Sequence, residues 1–443
     1  MNKLLYIILL SCATSCISNE QPKYSWEKDL HHRLLCDFTK SKDDVKTYIQ
    51  KYIPNVTDEQ MERWENQKAL ECMVIDSQKL YFHNAAPNLF RINSECARIK
   101  AEKDGTQHSG SEEADKNNVP DIIRDAVKAS PKYLAQPRHM RVTYTLTVNA
   151  DAVPAGEKIR CWLPFPRKDV QRQTNVKFIS ASEKDYKFSD PACKHSTLYM
   201  EKTAVAGKPT VFSEKFEYTS HGAFYNLNER EIKPYNTASE LYKTYTSERE
   251  KHIRFSPRLR KLADSLTAGL TNPLDKAQAI FQWIDGNFPW ASAREYSTIE
   301  NIPEYVLDNH HGDCGQVSLL FITLCRISGI PAHFQSGFMM HPNAWNLHDW
   351  AEVYFEGIGW VPVDQSFGIP SYASNDKEKM FFLGGIDSWR MIVNNDYGMK
   401  LSPEKKYPRS ETVDFQRGEV EWKGGNLYFD QWSYNMDIEY LDL

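Results

Sequence analysis

The stretch His311-Gly-Asp-Cys-Gly-Gln316 precedes the apolar run 317–327, and His348 and Asp364 follow further along the chain. A cysteine, a histidine and a carboxylate supply a thiol nucleophile, a base and a group that orients the base. A cysteine acyl-transfer enzyme needs these three groups. The sequence therefore predicts Cys314, His348 and Asp364 as catalytic residues.

The residues after Cys314 predict a buried helix. Apolar side chains recur from Val317 to Ile327, and Gly329 and Pro331 follow as helix-ending residues. Unpaired N–H groups and the helix dipole favour a thiolate in the first turn. We therefore expect the pKa of Cys314 to fall from about 8.5 into the range of roughly 3.5–7.5. The adjacent Asp313 opposes this effect mildly.

Two strands around a tight turn predict how His348 meets Asp364. A three-residue loop at 356–358 pairs Phe355 with Gly359 and makes Asp364 a diagonal neighbour of His348 on one face. Such neighbours lie about 7–8 Å apart at the Cα atoms, within side-chain reach. A loop of even length would send Asp364 to the opposite face. Asp349, next to His348 on the strand, is expected to point the other way.

The sequence from Asp275 to Phe367 resembles the transglutaminase-like superfamily of papain-type cysteine enzymes. The resemblance implies that Cys314 is the nucleophile, His348 the base and Asp364 its orienting group. His311 and Asp349 depart from the family pattern, which commonly has a basic and a small residue there. The motifs that carry the resemblance are Gly312-x-Cys314, Arg326-Ile-Ser-Gly-Ile-Pro-Ala332, Gly337, His348-x-Trp350-x-Glu352-x-Tyr354 and Gly359-Trp360-x-Pro362-x-Asp364.

An acyl-transfer site also needs donors for the oxyanion. The backbone N–H of Cys314 is one candidate, and the indole of Trp290 or the hydroxyl of Tyr296 is a second. Trp290 could equally be a core aromatic residue.

Several histidines raise the possibility of a metal site near Cys314. His310, His311 and His341 are scattered rather than arranged in the short paired spacings of zinc sites. We therefore predict no metal and no cofactor.

The first residues predict export. Lys3 precedes the apolar run 4–10, and Ala13-Thr-Ser-Cys16 follows, which is typical of a secretory signal at 1–15. Its end resembles a bacterial lipobox, which implies cleavage before Cys16 and lipid attachment there. Cys12 is a weaker alternative site, and an ordinary cleaved signal is the other interpretation. The expected location is the cell envelope, at the outer membrane or cell surface. The sequence does not decide which membrane leaflet would carry the lipid anchor.

Charge and composition narrow the function classes. The formal net charge of −5 argues against nucleic acid as a partner. With 443 residues, 41% of them hydrophobic, the chain can fill two or three cores.

Without Cys12 and Cys16, the chain contains an odd number of cysteines. Two disulfide pairings are attractive: a bridge between two of Cys36, Cys72 and Cys96, and a Cys161–Cys193 bridge. The odd count leaves a free thiol for Cys314, and Cys325 is expected to be a small core residue.

Periodicity along the chain predicts an α+β fold, and the family resemblance implies that its catalytic core is papain-like and transglutaminase-like. The predicted segments are a signal peptide at 1–15, a lipid-anchored tether at 16–24, an N-terminal helical region at 25–101, a linker with a short helix at 102–138, an antiparallel β domain at 139–225, the catalytic core at 226–375 and a C-terminal strand and turn extension at 376–443.

These features predict an exported, lipid-anchored cysteine hydrolase that acts on a peptide or amide carbonyl through a thioester. The expected partners are a peptide or protein substrate and the membrane, while the oligomeric state is open. One alternative is a surface lipoprotein that binds peptides or glycans with an inactive or gated triad. Another is a cross-linking enzyme with an amine acceptor, although no calcium-loop pattern favours it.

Overall fold

The N-terminal part of the chain is helical. The computed structural model describes residues 24–105, 110–128 and 133–441. Capping boxes at Ser41 and Thr57 satisfy the first N–H groups of two of the helices. Trp64, Tyr81 and Phe90 are buried in a separate core here. The elements are α1 Trp26–Asp37, α2 Lys42–Gln50, α3 Asp58–Asn66, β1 Cys72–Ile75, β2 Gln78–Tyr81, α4 Ala85–Ile92, α5 Ser94–Asp104 and α6 Gly110–Lys128.

The segment predicted as a linker with a short helix is mostly helical. Helix α6 is longer than the predicted helix at 121–129 and contains Pro120. Val119, Ile122 and Ala126 recur at helical spacing and are buried in the core of the catalytic helices. The polar composition of 102–119 concealed this apolar face, so the linker prediction was wrong for α6.

Alternating side chains build the β region. Its long strands bury one face, as in β3, where Val142, Tyr144 and Leu146 alternate with more exposed residues. Six strands lie wholly or mostly within 139–225, the segment predicted as an antiparallel β domain. The elements are β3 Leu134–Val148, β4 Lys158–Pro164, β5 Gln173–Ala181, β6 Tyr186–Phe188, β7 Thr197–Thr203 and β8 Thr210–Phe224.

Helices and a sheet form the catalytic region. Asn272 caps its longest helix, as its Asn-Pro start predicts. The elements are α7 Glu240–Tyr245, α8 Pro257–Leu266, α9 Pro273–Asn287, α10 Ile302–Asn309, α11 Cys314–Ile327, β9 Ala332–Met339, β10 Asn346–Phe355 and β11 Gly359–Val363. Helix α11 packs between α8–α10 and the β9–β10 sheet, so Cys314 starts a helix at the centre of this region.

The C-terminal residues return to the earlier strands. Strand β16 pairs with β3, β14 pairs with β4, and β13 joins the sheet β11-β10-β9-β13. Segments 139–225 and 376–443 therefore share two sheets, and the C-terminal segment is no separate extension in space. The strand orders of the two shared sheets are β12-β8-β3-β16 and β15-β14-β4-β7-β6. The elements are α12 Asp376–Lys379, β12 Gly385–Ile386, β13 Arg390–Asn394, β14 Glu419–Trp422, β15 Gly425–Leu427 and β16 Trp432–Tyr440.

The cysteines differ from the predicted pairing. All seven cysteines of the described chain are free thiols, so both suggested bridges were wrong. Cys161 lies in the core between the sheets, whereas Cys193 lies in the loop before β7. Cys325 is fully buried, as predicted. In the part of the chain that the structure describes, no helix is both long and apolar enough to cross a membrane. Residues 1–15 and Cys16 lie outside the described residues.

Candidate active site

Asp313 and Cys314 form the start of α11. The Asp313 carboxylate accepts the backbone N–H of Gln316 at 3.0 Å, and the Gln316 side chain accepts the N–H of Asp313 at 3.1 Å. This capping box fixes Cys314 as the first helical residue, as the sequence predicted. A Cβ at Gly315 would collide with Tyr296 and Asp349, so glycine is needed there for close packing.

The thiol of Cys314 faces Asp349. Its Sγ donates to Oδ2 of Asp349 at 3.5 Å, and Nε2 of Gln416 donates to the other oxygen of Asp349 at 2.9 Å. The Tyr296 hydroxyl donates to Oδ1 of Asp313 at 2.6 Å and lies 3.4 Å from Oδ2 of Asp349. Tyr296 is thus engaged with the two carboxyl groups beside the nucleophile.

The electrostatics oppose a thiolate in this arrangement. Burial, followed by the charges of Asp349 and Asp313, raises the pKa of Cys314 well above its usual value. The predicted low pKa of the thiol was therefore wrong, because desolvation and two carboxylates outweigh the helix N-terminus. Burial, then Asp313, also raises the pKa of Asp349 well above its usual range. Both groups therefore favour their protonated forms in this arrangement.

His348 and Asp364 form a buried pair on the other face of β10. Nε2 of His348 lies 2.8 Å from Oδ2 of Asp364, and the predicted pairing of Phe355 with Gly359 is confirmed. Burial opposes ionisation of Asp364, yet the charges of His348 and Arg390 hold the pKa of Asp364 below its usual range. Burial lowers the pKa of His348 although Asp364 raises it, so the imidazole is neutral.

An arginine extends this pair into a network. Nη1 of Arg390 donates to Oδ2 of Asp364 at 2.7 Å, and its Nε donates to Asp387 at 2.8 Å. Nε2 of His341 lies 3.4 Å from Asp387. The four charged or ionisable side chains beyond His348 are fully buried, so each depends on its neighbours for charge balance.

The predicted residues thus fall into two adjacent clusters. The structure joins His348 to Asp364 and joins Cys314 to Asp349, while no hydrogen bond among the described residues links Cys314 to His348. Asp349 does point away from His348, as predicted, but that direction leads to the nucleophile. The clusters remain close, since the Asp364 charge contributes to the raised pKa of Cys314.

A cavity of about 230 Å³ opens beside the half-buried thiol. Trp290 lines it, and the backbone beside this residue pairs with Gly312 in the loop before Cys314. The Trp290 ring is 44% exposed, so it is not the core aromatic residue of the alternative interpretation. Its role as an oxyanion donor stays a prediction.

Carboxyl groups dominate the polar wall of this cavity. Arg417 forms ion pairs with Glu295 at 2.7 Å and with Glu411 at 2.6 Å. Burial, then Glu411 and Asp349, raises the pKa of Asp414 well above its usual range. The carboxyl-bearing residues that line the cavity are Glu295, Asp313, Asp349, Glu411 and Asp414.

The part of the cavity wall that the C-terminal segment forms was not predicted from the sequence. Glu411, Asp414, Gln416 and Arg417 lie far from Cys314 along the chain, and no local motif marks them. His311, beside the nucleophile loop in sequence, is buried, and burial lowers its pKa to about 4.

A known protein family matches most of the catalytic region. Residues 260–365 match the transglutaminase-like superfamily. These residues form a transglutaminase-like domain. The domain contains α8 to α11 and the strand pair that carries His348, in a chain of mixed helices and antiparallel sheets.

Two bacterial relatives match in sequence over a limited length. The uncharacterized protein YebA of Bacillus subtilis is 27% identical over 134 residues, which cover 26% of this chain and 18% of YebA. An uncharacterized protein of Haemophilus influenzae is 27% identical over 142 residues, which cover 26% of this chain and 37% of that protein. The chain thus spans well under half the length of each relative.

Two solved structures match with low sequence identity and low TM-scores. A Cytophaga hutchinsonii protein, provisionally assigned as a cysteine protease, is 14% identical with a TM-score of 0.47 and covers 70% of this chain and 93% of its own. The periplasmic domain of TgpA from Pseudomonas aeruginosa is 16% identical with a TM-score of 0.29, covering 60% and 96%.

Proposed function

We propose that this protein is a cysteine hydrolase that cleaves a peptide or amide bond through a thioester on Cys314. The observation that carries the proposal is a half-buried thiol at a helix start, open to a cavity and in contact with Asp349, the strand neighbour of His348. Cys314 and His348 both lie within residues 260–365, the range that matches the transglutaminase-like superfamily, which supports the proposal.

The proton of Cys314 can go to either of two groups. Asp349 contacts the thiol, but burial raises the pKa of Asp349, so this carboxyl group holds its own proton more strongly. His348 is neutral, and Asp364 would stabilise its imidazolium. We therefore assign the base role to His348, reached when the thiol leaves Asp349.

The reaction then proceeds in two halves. Cys314 gives its proton to His348, and Sγ bonds to the carbonyl carbon. The C–N bond breaks as His348 returns the proton to the leaving nitrogen. Water attacks the thioester, gives one proton to His348 and releases the acid, and the thiol is regenerated with that proton.

The acidic wall favours a substrate with a cationic group. Burial and mutual repulsion raise the pKa of Asp349 and Asp414, and a bound cation would relieve this repulsion. In matched peptide amides, we expect a lysine beside the scissile bond to give a higher kcat/KM than norleucine, and glutamate a lower one. Equal values for all three would remove this charge preference.

Turnover of a peptide-amide library, followed by mass spectrometry, tests the proposal. We expect cleavage that disappears in Cys314→Ala, collapses in His348→Ala and persists in Asp349→Asn. Cleavage that survives in Cys314→Ala would refute the nucleophile. Loss in Asp349→Asn with retention in His348→Ala would move the base role to Asp349.

A binding protein is the second candidate. The neutral thiol held against Asp349 favours it, because that contact leaves Cys314 unreactive. Tight binding of a peptide or glycan without turnover, with a Cys314 thiol inert to a peptidyl vinyl sulfone, would support this alternative. An amine acceptor in place of water would give cross-linking, which a labelled primary amine added to the same assay would detect.

We also propose export and lipid attachment at Cys16. The support is the apolar run and the lipobox-like Ala13-Thr-Ser-Cys16. Metabolic labelling with an alkyne fatty acid should mark the full chain, and Cys16→Ala should abolish the label while Cys12→Ala keeps it. A label that persists in Cys16→Ala would contradict this assignment.

A further inference from the structure

A histidine, a cysteine and an aspartate converge at a place outside the lining of the cavity described above. His32 and Cys36 lie one turn apart on α1, and Asp430 lies in the 3₁₀ turn Phe429–Gln431. Nε2 of His32 is 3.2 Å from Oδ1 of Asp430 and 3.8 Å from Sγ of Cys36. One ligand atom from each residue lies within 4.8 Å of the others.

These separations suit a tetrahedral metal ion. Zinc binds nitrogen and oxygen at about 2.0–2.2 Å and sulfur at about 2.3 Å, which sets ligand atoms roughly 3.4–3.6 Å apart. The separations from Nε2 of His32, 3.2 Å to Asp430 and 3.8 Å to Cys36, differ from these values by a few tenths of an ångström. The three ligands are only partly buried, so water can supply a fourth.

The neighbouring side chains already have other partners. His31 lies 3.0 Å from Asp76, and Arg33 pairs with Asp29 and lies over the Tyr428 ring at 4.8 Å. His32 and Cys36 therefore face the C-terminal turn while His31 faces the β1–β2 hairpin. The i, i+4 spacing places both ligands on one side of α1.

We propose that His32, Cys36 and Asp430 bind one zinc-like divalent cation, with water completing the coordination. The ion ties α1 to a turn nearly four hundred residues later in the chain. That turn also supports the cavity wall, because Arg417 lies over the Phe429 ring at 3.7 Å. Binding displaces the thiol proton of Cys36 to solvent and forms the sulfur–metal bond.

Cobalt uptake by the full-length protein tests the site, with Co²⁺ and then Zn²⁺ as the probes. Cys314→Ala serves as the background, so that the catalytic thiol cannot contribute. We expect one equivalent of Co²⁺ to give a thiolate-to-metal charge-transfer band, Zn²⁺ to displace it, and Zn²⁺ to raise the melting temperature.

Matched variants decide the assignment. Cys36→Ser should abolish the charge-transfer band, and Asp430→Asn should weaken Co²⁺ binding at least tenfold. His31→Ala should leave the band and the Co²⁺ affinity unchanged. A band that persists in Cys36→Ser, or no stoichiometric uptake by the parent, would overturn the proposal. The readout is independent of turnover, so it separates this site from the proposed hydrolase.

Discussion

The thiol of Cys314 lies 3.5 Å from Oδ2 of Asp349. Asp349 is the strand neighbour of His348, the histidine that pairs with Asp364. A buried carboxyl group at this distance from a nucleophile controls whether the nucleophile can ionise. The contact therefore describes a resting state of the site, which a change at Asp349 should disturb directly.

Asp349→Asn should increase the reactivity of Cys314. Asparagine cannot take the negative charge that Asp349 acquires as the pH rises, so we expect the pKa of the thiol to fall and alkylation at pH 8 to accelerate roughly tenfold. The Asn oxygen can still accept from Gln416. Iodoacetamide labelling followed by mass spectrometry gives the rate, with the exposed Asp376→Asn as the control. An unchanged or slower rate would contradict this account.

The same variant should change the pH dependence of stability. The pKa of Asp349 is raised in the folded state, so the fold binds more protons than the unfolded chain and loses stability as pH rises. Asparagine cannot ionise and escapes this loss. We expect Asp349→Asn to melt higher than the parent at pH 8, with the gap narrowing at pH 5. A constant gap across this range would count against a buried, protonated Asp349.

Gly315→Ala should destabilise the start of α11. The added methyl group would overlap Tyr296 and Asp349, at a cost of about 1–3 kcal/mol in the free energy of unfolding. Gly286→Ala is the matched control, because a Cβ at this α9 position meets no atom within 4 Å. There we expect less than about 1 kcal/mol of change. Urea unfolding of both variants compares them, and equal effects would argue against the close approach.

Asp364→Ala should lower stability strongly as well as impair turnover. Asp364 and Arg390 are both fully buried, and removing the carboxylate leaves the Arg390 charge poorly balanced. Breaking such a pair costs roughly 3–5 kcal/mol. The control is Asp376→Ala, whose side chain is 94% exposed and should change stability little. A small loss of unfolding free energy in Asp364→Ala would show that Asp387 alone balances Arg390.

Local patterns predicted the parts of the site that local geometry determines. The helix start at Cys314 follows from the glycines and the apolar run, and the His348–Asp364 contact follows from the three-residue turn between β10 and β11. Both features depend on residues that are neighbours along the chain.

Features that depend on distant residues could not be predicted in this way. The pKa of Cys314 is set by burial and by Asp349, which only the folded chain brings together. No local pattern predicts that β16 pairs with β3. Asp414 and Arg417 of the cavity wall belong to the same C-terminal segment, so they could not be predicted either. The apolar face of α6 was hidden by its polar neighbours.

The position of Arg417 in the cavity wall has a consequence for biosynthesis. A ribosome adds this residue, and the strands β14 and β16 that follow it, long after Cys314 has left the exit tunnel. A nascent chain can therefore form the α11 helix while its cavity still lacks one side. The cavity beside Cys314 is therefore closed only after these strands have been made.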